Sequence, residues 1–142
     1  MQAAILQLNV TDDPVANLAV TVGMLREAAA DGAEFVLTPE VTNCISTSRN
    51  HQRDVLQFEE DDQTLAALRA EAKALGITLL IGSLGVQTGD ADGRFANRSF
   101  LIGPDGDVIA RYDKIHMFDV QISETETWRE SEGYRPGEAA VV

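Results

Sequence analysis

Two residues of opposite charge each follow a predicted strand, and they are the first candidates for chemistry. Glu40 lies just beyond the predicted strand 34–38, which Pro39 ends because proline cannot donate a ladder hydrogen bond. Lys114 lies just beyond the predicted strand 108–112. In open α/β sheets ligands bind in the crevice beyond the strand ends, so these charges can converge on one substrate. On spacing alone, both also fit ordinary surface charges.

Cys44 is the only thiol of the chain and lies four residues after Glu40. A nucleophilic cysteine needs a lowered pKa, which a neighbouring cation usually supplies, but the first Lys or Arg after Cys44 is Arg49. We therefore expect Cys44 to be a small buried hydrophobic residue. His51 and His116 are far apart in sequence and give only a weak metal signal, so no metal ligand is assigned.

The spacing of apolar residues predicts the elements that position these side chains. Short apolar runs indicate strands, and apolar residues three and four apart indicate helices. Strands are predicted at 3–8, 34–38, 77–82, 94–102 and 108–112, and the first should be covered on both faces. Helices are predicted at 17–29, after the turn signal 11–14, and from a cap at Asp61 or Asp62 to a stop at Gly76.

Turn chemistry predicts a sheet of mixed direction. Residues 103–107 form a tight turn in this interpretation, because Pro followed by Asp-Gly presets the dihedral angles. The strands on either side of it should therefore pair antiparallel. The segment 41–60 is a long loop with a short helical turn near 54–58, and loops of this length are usually functional. The apolar tail 139–142 predicts the approach to a further strand.

Five stretches occur in order along the whole chain: Thr38-Pro39-Glu40, residues 97–106, residues 111–119, Trp128-Arg129-Glu130-Ser131 and Pro136-Gly137-Glu138. Together they resemble the carbon–nitrogen hydrolase (nitrilase) superfamily, and the stretches after Lys114 are similar to its ω-amidase branch. The resemblance implies an α/β fold, an αββα sandwich of the nitrilase type, which here would be incomplete, with a mixed sheet and two main helices. It also implies that residues 1–142 are the N-terminal portion of a single domain.

The resemblance further implies a site of Glu, Lys, a second Glu and Cys that hydrolyses a non-peptide carbon–nitrogen bond. Glu40, Lys114 and Glu130 match the first three. A carboxylate can take the proton of the attacking thiol, an ammonium can stabilise the oxyanion, and Glu130 would hydrogen-bond the lysine or the leaving amine. The family's cysteine falls beyond Val142, so the chain alone should be inactive on its small amide substrate. No metal or organic cofactor is required.

The composition and charge of the chain limit the classes of molecule that it can bind. The chain has 142 residues, 44% of them hydrophobic, and a formal charge of −12, which repels nucleic acid and anionic membranes. It has no apolar run long enough to span a bilayer and no basic stretch of the kind that opens a secretory signal. With its single cysteine this favours the cytoplasm. The resemblance suggests a homo-oligomer.

Two other functions fit parts of the sequence. Asp12-Asp13 after the first strand and Lys114 after a later one resemble a phospho-receiver domain, in which paired acids hold Mg²⁺. However, Gly82-Ser83 stands where the phosphoacceptor aspartate belongs, and the hairpin breaks the alternation of strand and helix. The second alternative is a structural or regulatory remnant that pairs with a complementary half.

Trp128 is expected to bury its ring beside the site loop.

Overall fold

The computed structural model describes residues 1–141, and its centre is a five-stranded mixed sheet. Those residues also form three α-helices and a separate two-stranded hairpin. The strands are β1 (Ala3–Ile5), β2 (Phe35–Leu37), β3 (Thr78–Gln87), β4 (Phe95–Ile102), β5 (Val108–Asp113), β6 (Asp119–Gln121) and β7 (Thr127–Arg129). The helices are α1 (Pro14–Ala30), α2 (Arg49–Val55) and α3 (Gln63–Leu75).

The strands of the main sheet are ordered β1-β2-β3-β4-β5, with consecutive strands adjacent. The first three are parallel, since α1 and the α2–α3 segment carry the chain back between them. The last two are antiparallel, as the turn chemistry predicts. In that turn, Gly106 has φ of 82° and its N–H donates to the carbonyl of Gly103. The predicted mixed α/β fold is therefore confirmed.

Local capping groups set the start of both main helices and the end of α3. The Asp13 carboxylate accepts the backbone N–H groups of Val15 and Ala16, so α1 starts three residues before the predicted position. Asp62 caps α3 in the same way, by accepting the N–H of Leu65. Gly76 ends that helix in the left-handed conformation, with φ of 65°.

The helices cover one face of the sheet. On that face Val36, Leu79 and Ile102 lie side by side and are fully buried against α1 and α3. The next row along the strands faces the other way, and the structure packs no helix against it within residues 1–141. We call this row the open face; it consists of Ile5, Leu37, Leu80 and Leu101.

The open face corrects one expectation. The first strand was predicted to be covered on both sides, but it is an edge strand of three residues and Ile5 is 80% exposed. This stretch is apolar because Ala4 and Leu6 face the helices and contact the core. The opposite side of the same strand has no neighbouring layer among the residues described. An apolar run therefore does not by itself distinguish one covered face from two.

The segments that connect the main strands and helices differ most from the predicted secondary structure. The helical turn of the long loop lies at Arg49–Val55, where Ser48 accepts the N–H of His51, and not at 54–58. The hairpin β6–β7 was not predicted. Trp128 lies on β7 with 47% of its surface exposed, so the expected burial of its ring is wrong. Residues 139–141 form no strand, and Val142 lies outside the described residues.

Across residues 1–141, the helices are all too short or too polar to cross a lipid bilayer.

Candidate active site

Lys114 follows the last residue of β5, and its backbone is held on both sides. Its N–H donates to the carbonyl of Asn97 on β4 at 2.9 Å, which extends the antiparallel ladder by one residue. Its carbonyl accepts the N–H of Gly137 at 2.8 Å. The tail of the chain is therefore hydrogen-bonded to the backbone of the lysine and helps to hold it in place.

The Lys114 ammonium bridges two carboxylates. Its Nζ donates to Glu40 Oε1 at 2.9 Å, and to Glu130 Oε2 at 2.8 Å and Oε1 at 3.0 Å. Glu40 is 74 residues away in sequence and Glu130 is 16 residues away. The structure thus brings the three predicted site residues together at one end of the sheet, and each N–H of the ammonium has a charged acceptor available.

Glu40 lies just after β2, on a backbone that turns sharply. The next residue, Val41, has φ of 51°, an unfavourable conformation for a β-branched side chain. Ser83 on β3 holds this turn, because its Oγ accepts the Val41 N–H at 2.7 Å and its carbonyl accepts the Thr42 N–H at 2.8 Å. Strain held by neighbouring strands is common at functional sites.

Gly82 makes room for the end of β2. A Cβ atom on this residue would lie 2.3 Å from the Thr38 carbonyl oxygen and 2.6 Å from the Pro39 carbonyl carbon. Both are backbone atoms, which cannot rotate away as a flexible side chain can. The chain can therefore place Glu40 here only because β3 carries a glycine opposite the turn.

Glu130 is oriented by the base of the β6–β7 hairpin. Its Oε2 accepts the Phe118 N–H at 2.6 Å, and its own N–H donates to the Phe118 carbonyl at 3.2 Å. Next to it, the Asp119 carboxylate accepts the backbone N–H and the hydroxyl of Ser131. These bonds hold the short 3-10 turn Glu130–Glu132 against the start of the hairpin.

Asn97 is a site residue that the sequence analysis missed. Its side-chain Nδ2 lies 2.7 Å from Glu40 Oε1 and 3.4 Å from Glu130 Oε1, and the residue is only 2% exposed. The available sequence signal was an asparagine within a predicted strand, where that residue type is uncommon. A polar side chain at such a position usually has a hydrogen-bonding task.

The two charges at the centre of the site stabilise each other. Loss of solvent alone would raise the pKa of Glu40, but hydrogen bonds from Lys114 and Asn97 and the lysine charge hold it below its ordinary value. Burial alone would lower the pKa of Lys114, but Glu130 and Glu40 raise it above its ordinary value. Both groups are therefore ionised at neutral pH.

Cys44 lies in a second small core with Leu56, Phe95 and Tyr134, and it is fully buried, as predicted. Its Sγ donates weakly to the Asp12 carbonyl at 3.6 Å. Burial, with the nearby charge of Asp12, raises the pKa of the Cys44 thiol. These are the opposite of the conditions that activate a thiolate.

The two histidines are the remaining titratable candidates. His116 is exposed and follows Lys114 by two residues in sequence. His51 contacts the Asp12 carbonyl at 2.8 Å. No group of three or more His, Cys, Asp or Glu side chains with metal-binding geometry occurs among residues 1–141. The Asp13 carboxylate caps α1, which leaves the phospho-receiver hypothesis without its paired acids.

Comparison with known proteins agrees with this fold. The sequence model of the family described as carbon-nitrogen hydrolase matches residues 2–142. The chain is 34% identical over 141 residues to the chloroplastic omega-amidase of Arabidopsis thaliana, and 31% identical over 137 residues to omega-amidase NIT2 of Homo sapiens. Each match covers 96% of this chain. The chain therefore belongs to the carbon-nitrogen hydrolase family.

A solved structure gives the same result. The NitFhit protein of C. elegans superposes with a TM-score of 0.89 at 26% identity, covering 98% of this chain and 34% of that one. The present chain spans 37% of the length of the Arabidopsis relative and 48% of the human one. It therefore corresponds to half or less of each relative's length.

Proposed function

We propose that this chain supplies the general base, the lysine and the second glutamate of an amidase that hydrolyses small amides of the ω-amide type. The observation that carries the proposal is the single ammonium of Lys114 between the carboxylates of Glu40 and Glu130, which come from three separate segments. The names of the Arabidopsis and human relatives support the ω-amide class of substrate.

In this proposal Glu40 is the base and Lys114 binds the oxyanion. Glu40 takes the proton of a cysteine thiol as the sulfur bonds to the amide carbon, and the carbonyl electron pair moves onto oxygen. The fixed ammonium of Lys114 stabilises that oxygen. When the carbon–nitrogen bond breaks, the proton passes from Glu40 to the departing nitrogen, which leaves as ammonia. Water then attacks the thioester, losing a proton to Glu40, which returns it to the sulfur.

Glu130 has a different task in the same scheme. Both of its oxygens accept hydrogen bonds, from Lys114 and, at Oε2, from the Phe118 N–H. A carboxylate so fully bonded is poorly placed to take a further proton. We assign it to holding the lysine in place, with contact to the departing amine as the family resemblance implies.

The nucleophile of this scheme is a cysteine outside this chain. Cys44 is unsuitable because it is buried, its thiol pKa is raised, and it donates to the Asp12 carbonyl rather than to Glu40. We propose that the chain is the N-terminal portion of a single hydrolase domain, and that the remaining portion provides the cysteine and covers the open face. The greater length of the relatives supports this.

The test is release of ammonia from small ω-amides. We expect no turnover above background from this chain alone, and turnover when it is combined with a polypeptide that carries the cysteine-containing portion. Glu40→Gln should abolish the restored activity, whereas Cys44→Ala should leave it unchanged. Turnover by the isolated chain that Cys44→Ala abolishes would overturn the assignment of the nucleophile. A restored complex without hydrolysis would instead support a structural or regulatory role.

Two further expectations belong to this proposal. The isolated chain should form homo-oligomers, because the open face is apolar, with Ile5 80% exposed and its other three side chains partly exposed, and such surfaces associate with similar ones. The cytoplasm is the compartment we propose, since a lone cysteine suits a reducing environment.

A further inference from the structure

We propose that Asn97 is a positioning residue that selects which oxygen of Glu40 accepts the proton, an inference that rests on the proposed function. Asn97 lies within β4, opposite Gly85 of β3, and its side chain reaches the end of the sheet where the two carboxylates lie. Its amide Nδ2 donates to Glu40 Oε1 at 2.7 Å and approaches Glu130 Oε1 at 3.4 Å.

The hydrogen bonds on Glu40 are unequal between its two oxygens. Oε1 accepts both from Asn97 and from Lys114, whereas Oε2 has no hydrogen-bond donor among residues 1–141. The free lone pairs of the carboxylate are therefore on Oε2, and the side chain is 56% exposed, so this oxygen is accessible to an incoming thiol or water. A carboxylate bonded only to the lysine could rotate and present either oxygen.

The geometry of an amide group suits this task. An asparagine NH₂ has two hydrogens in one plane, so it can donate to both glutamates at once and offset their mutual repulsion. The Lys114 ammonium donates to the same two carboxylates. Asn97 is 2% exposed, so this donor is buried in the fold and is held in a fixed position beside Glu40. The charged groups facing Glu40 are accordingly Lys114 and, through it, Glu130.

The direct test is a titration that needs no enzymatic activity. Carboxyl ¹³C NMR of the chain, with Glu40→Gln for assignment, measures the protonation of Glu40. In Asn97→Leu, which keeps the branched shape but removes the donor, the Glu40 midpoint should rise toward its ordinary value, because one of the bonds that lowers its pKa is gone. Asn97→Ala serves as a second variant of smaller volume.

A second buried asparagine, in the loop after β2, provides the matched control. Asn43 is 1% exposed and its side chain bonds only to the backbone of Gly85 and not to a carboxylate. Asn43→Ala should lower stability without moving the Glu40 midpoint. If the Asn97 variants fold and leave the Glu40 midpoint unchanged, the inference is wrong and Asn97 is merely structural.

A measurement on the unaltered chain keeps the inference testable if neither Asn97 variant folds. The side-chain amide protons of Asn97 should shift with the same midpoint as the Glu40 carboxyl, since they donate to it. If the chemical shifts of these amide protons do not change over the pH range in which Glu40 titrates, the assignment is refuted. When the cysteine-bearing portion is supplied, Asn97→Leu should also lower kcat about tenfold with KM nearly constant. Failure of the hydrolase assay alone would contradict the proposed function and leave the NMR result standing.

Discussion

The Lys114 ammonium should contribute to stability mainly through Glu130 and only slightly through Glu40. The side chain of Glu130 is 13% exposed and that of Glu40 is 56% exposed, although their distances to Nζ are almost equal. Lys114→Met removes the charge while keeping a long apolar stem. It leaves the Glu130 carboxylate out of solvent, with the Phe118 N–H as its main remaining donor.

The expected magnitudes follow from this difference in exposure. Removing one partner of a buried pair costs about 3–5 kcal/mol, whereas an exposed pair contributes about 0.2–1 kcal/mol. Lys114 itself is 28% exposed, so its pair with Glu130 falls short of the buried limit. We expect Lys114→Met to cost about 2–3 kcal/mol, with a coupling to Glu130 of about 1.5–2.5 kcal/mol and to Glu40 below about 1 kcal/mol.

Double-mutant cycles measure these couplings. Urea unfolding followed by far-ultraviolet circular dichroism would compare Lys114→Met, Glu130→Gln and Glu40→Gln with the two double variants. The glutamine replacements keep the side-chain shape and remove the charge. A coupling to Glu40 equal to or larger than that to Glu130, or a Lys114→Met chain with an unchanged urea midpoint, would refute the reasoning from exposure.

Three other outcomes are expected. Gly82→Ala should destabilise the chain by about 1–3 kcal/mol, because the new Cβ meets backbone atoms. Gly23→Ala in α1, where a Cβ lies within 4 Å of no described residue outside the helix, should stabilise the chain by roughly 0.5–1 kcal/mol. Urea unfolding should therefore give changes in the free energy of unfolding that have opposite signs for the two variants. The pKa of Glu40 in the folded chain lies below its ordinary value of 4.5. The stability that the Glu40 carboxylate contributes is therefore present above pH 4.5 and is lost as the pH falls through the folded pKa. In thermal melts over this pH range, Glu40→Gln should lose less stability on acidification than the parent chain. Sedimentation should find oligomers that Leu80→Asp on the open face disperses, and a monomeric parent chain would contradict this.

Much of the main sheet and both long helices could be predicted from local sequence. Asp13, Asp62 and Gly76 act within one helical turn of where they stand, so their effect is readable without tertiary information. The β4–β5 hairpin is equally local, since its turn residues set their own dihedral angles. The charged residues Glu40 and Lys114 were identified because each follows a strand end, which the strand pattern already locates.

The errors occur where local signals are weak. β6 and β7 have three residues each, too few to show a period, and they pair across a turn with no proline or glycine. Trp128 lies on the exposed side of this hairpin, although its size favoured burial. The open face was missed because an apolar strand predicts contact with a layer but does not say which residues supply that layer.

The sequence by itself determined the capping groups of the two long helices, the turn of the β4–β5 hairpin and the chemical types available at the strand ends. Tertiary structure alone decided that one ammonium would contact both Glu40 and Glu130, and that Asn97 would lie beside them. The physical reason is that a side-chain hydrogen bond depends on distances of a few tenths of an ångström. Those distances are set by strand register, by the close approach at Gly82 and by the fold of the hairpin, which involve residues remote in sequence.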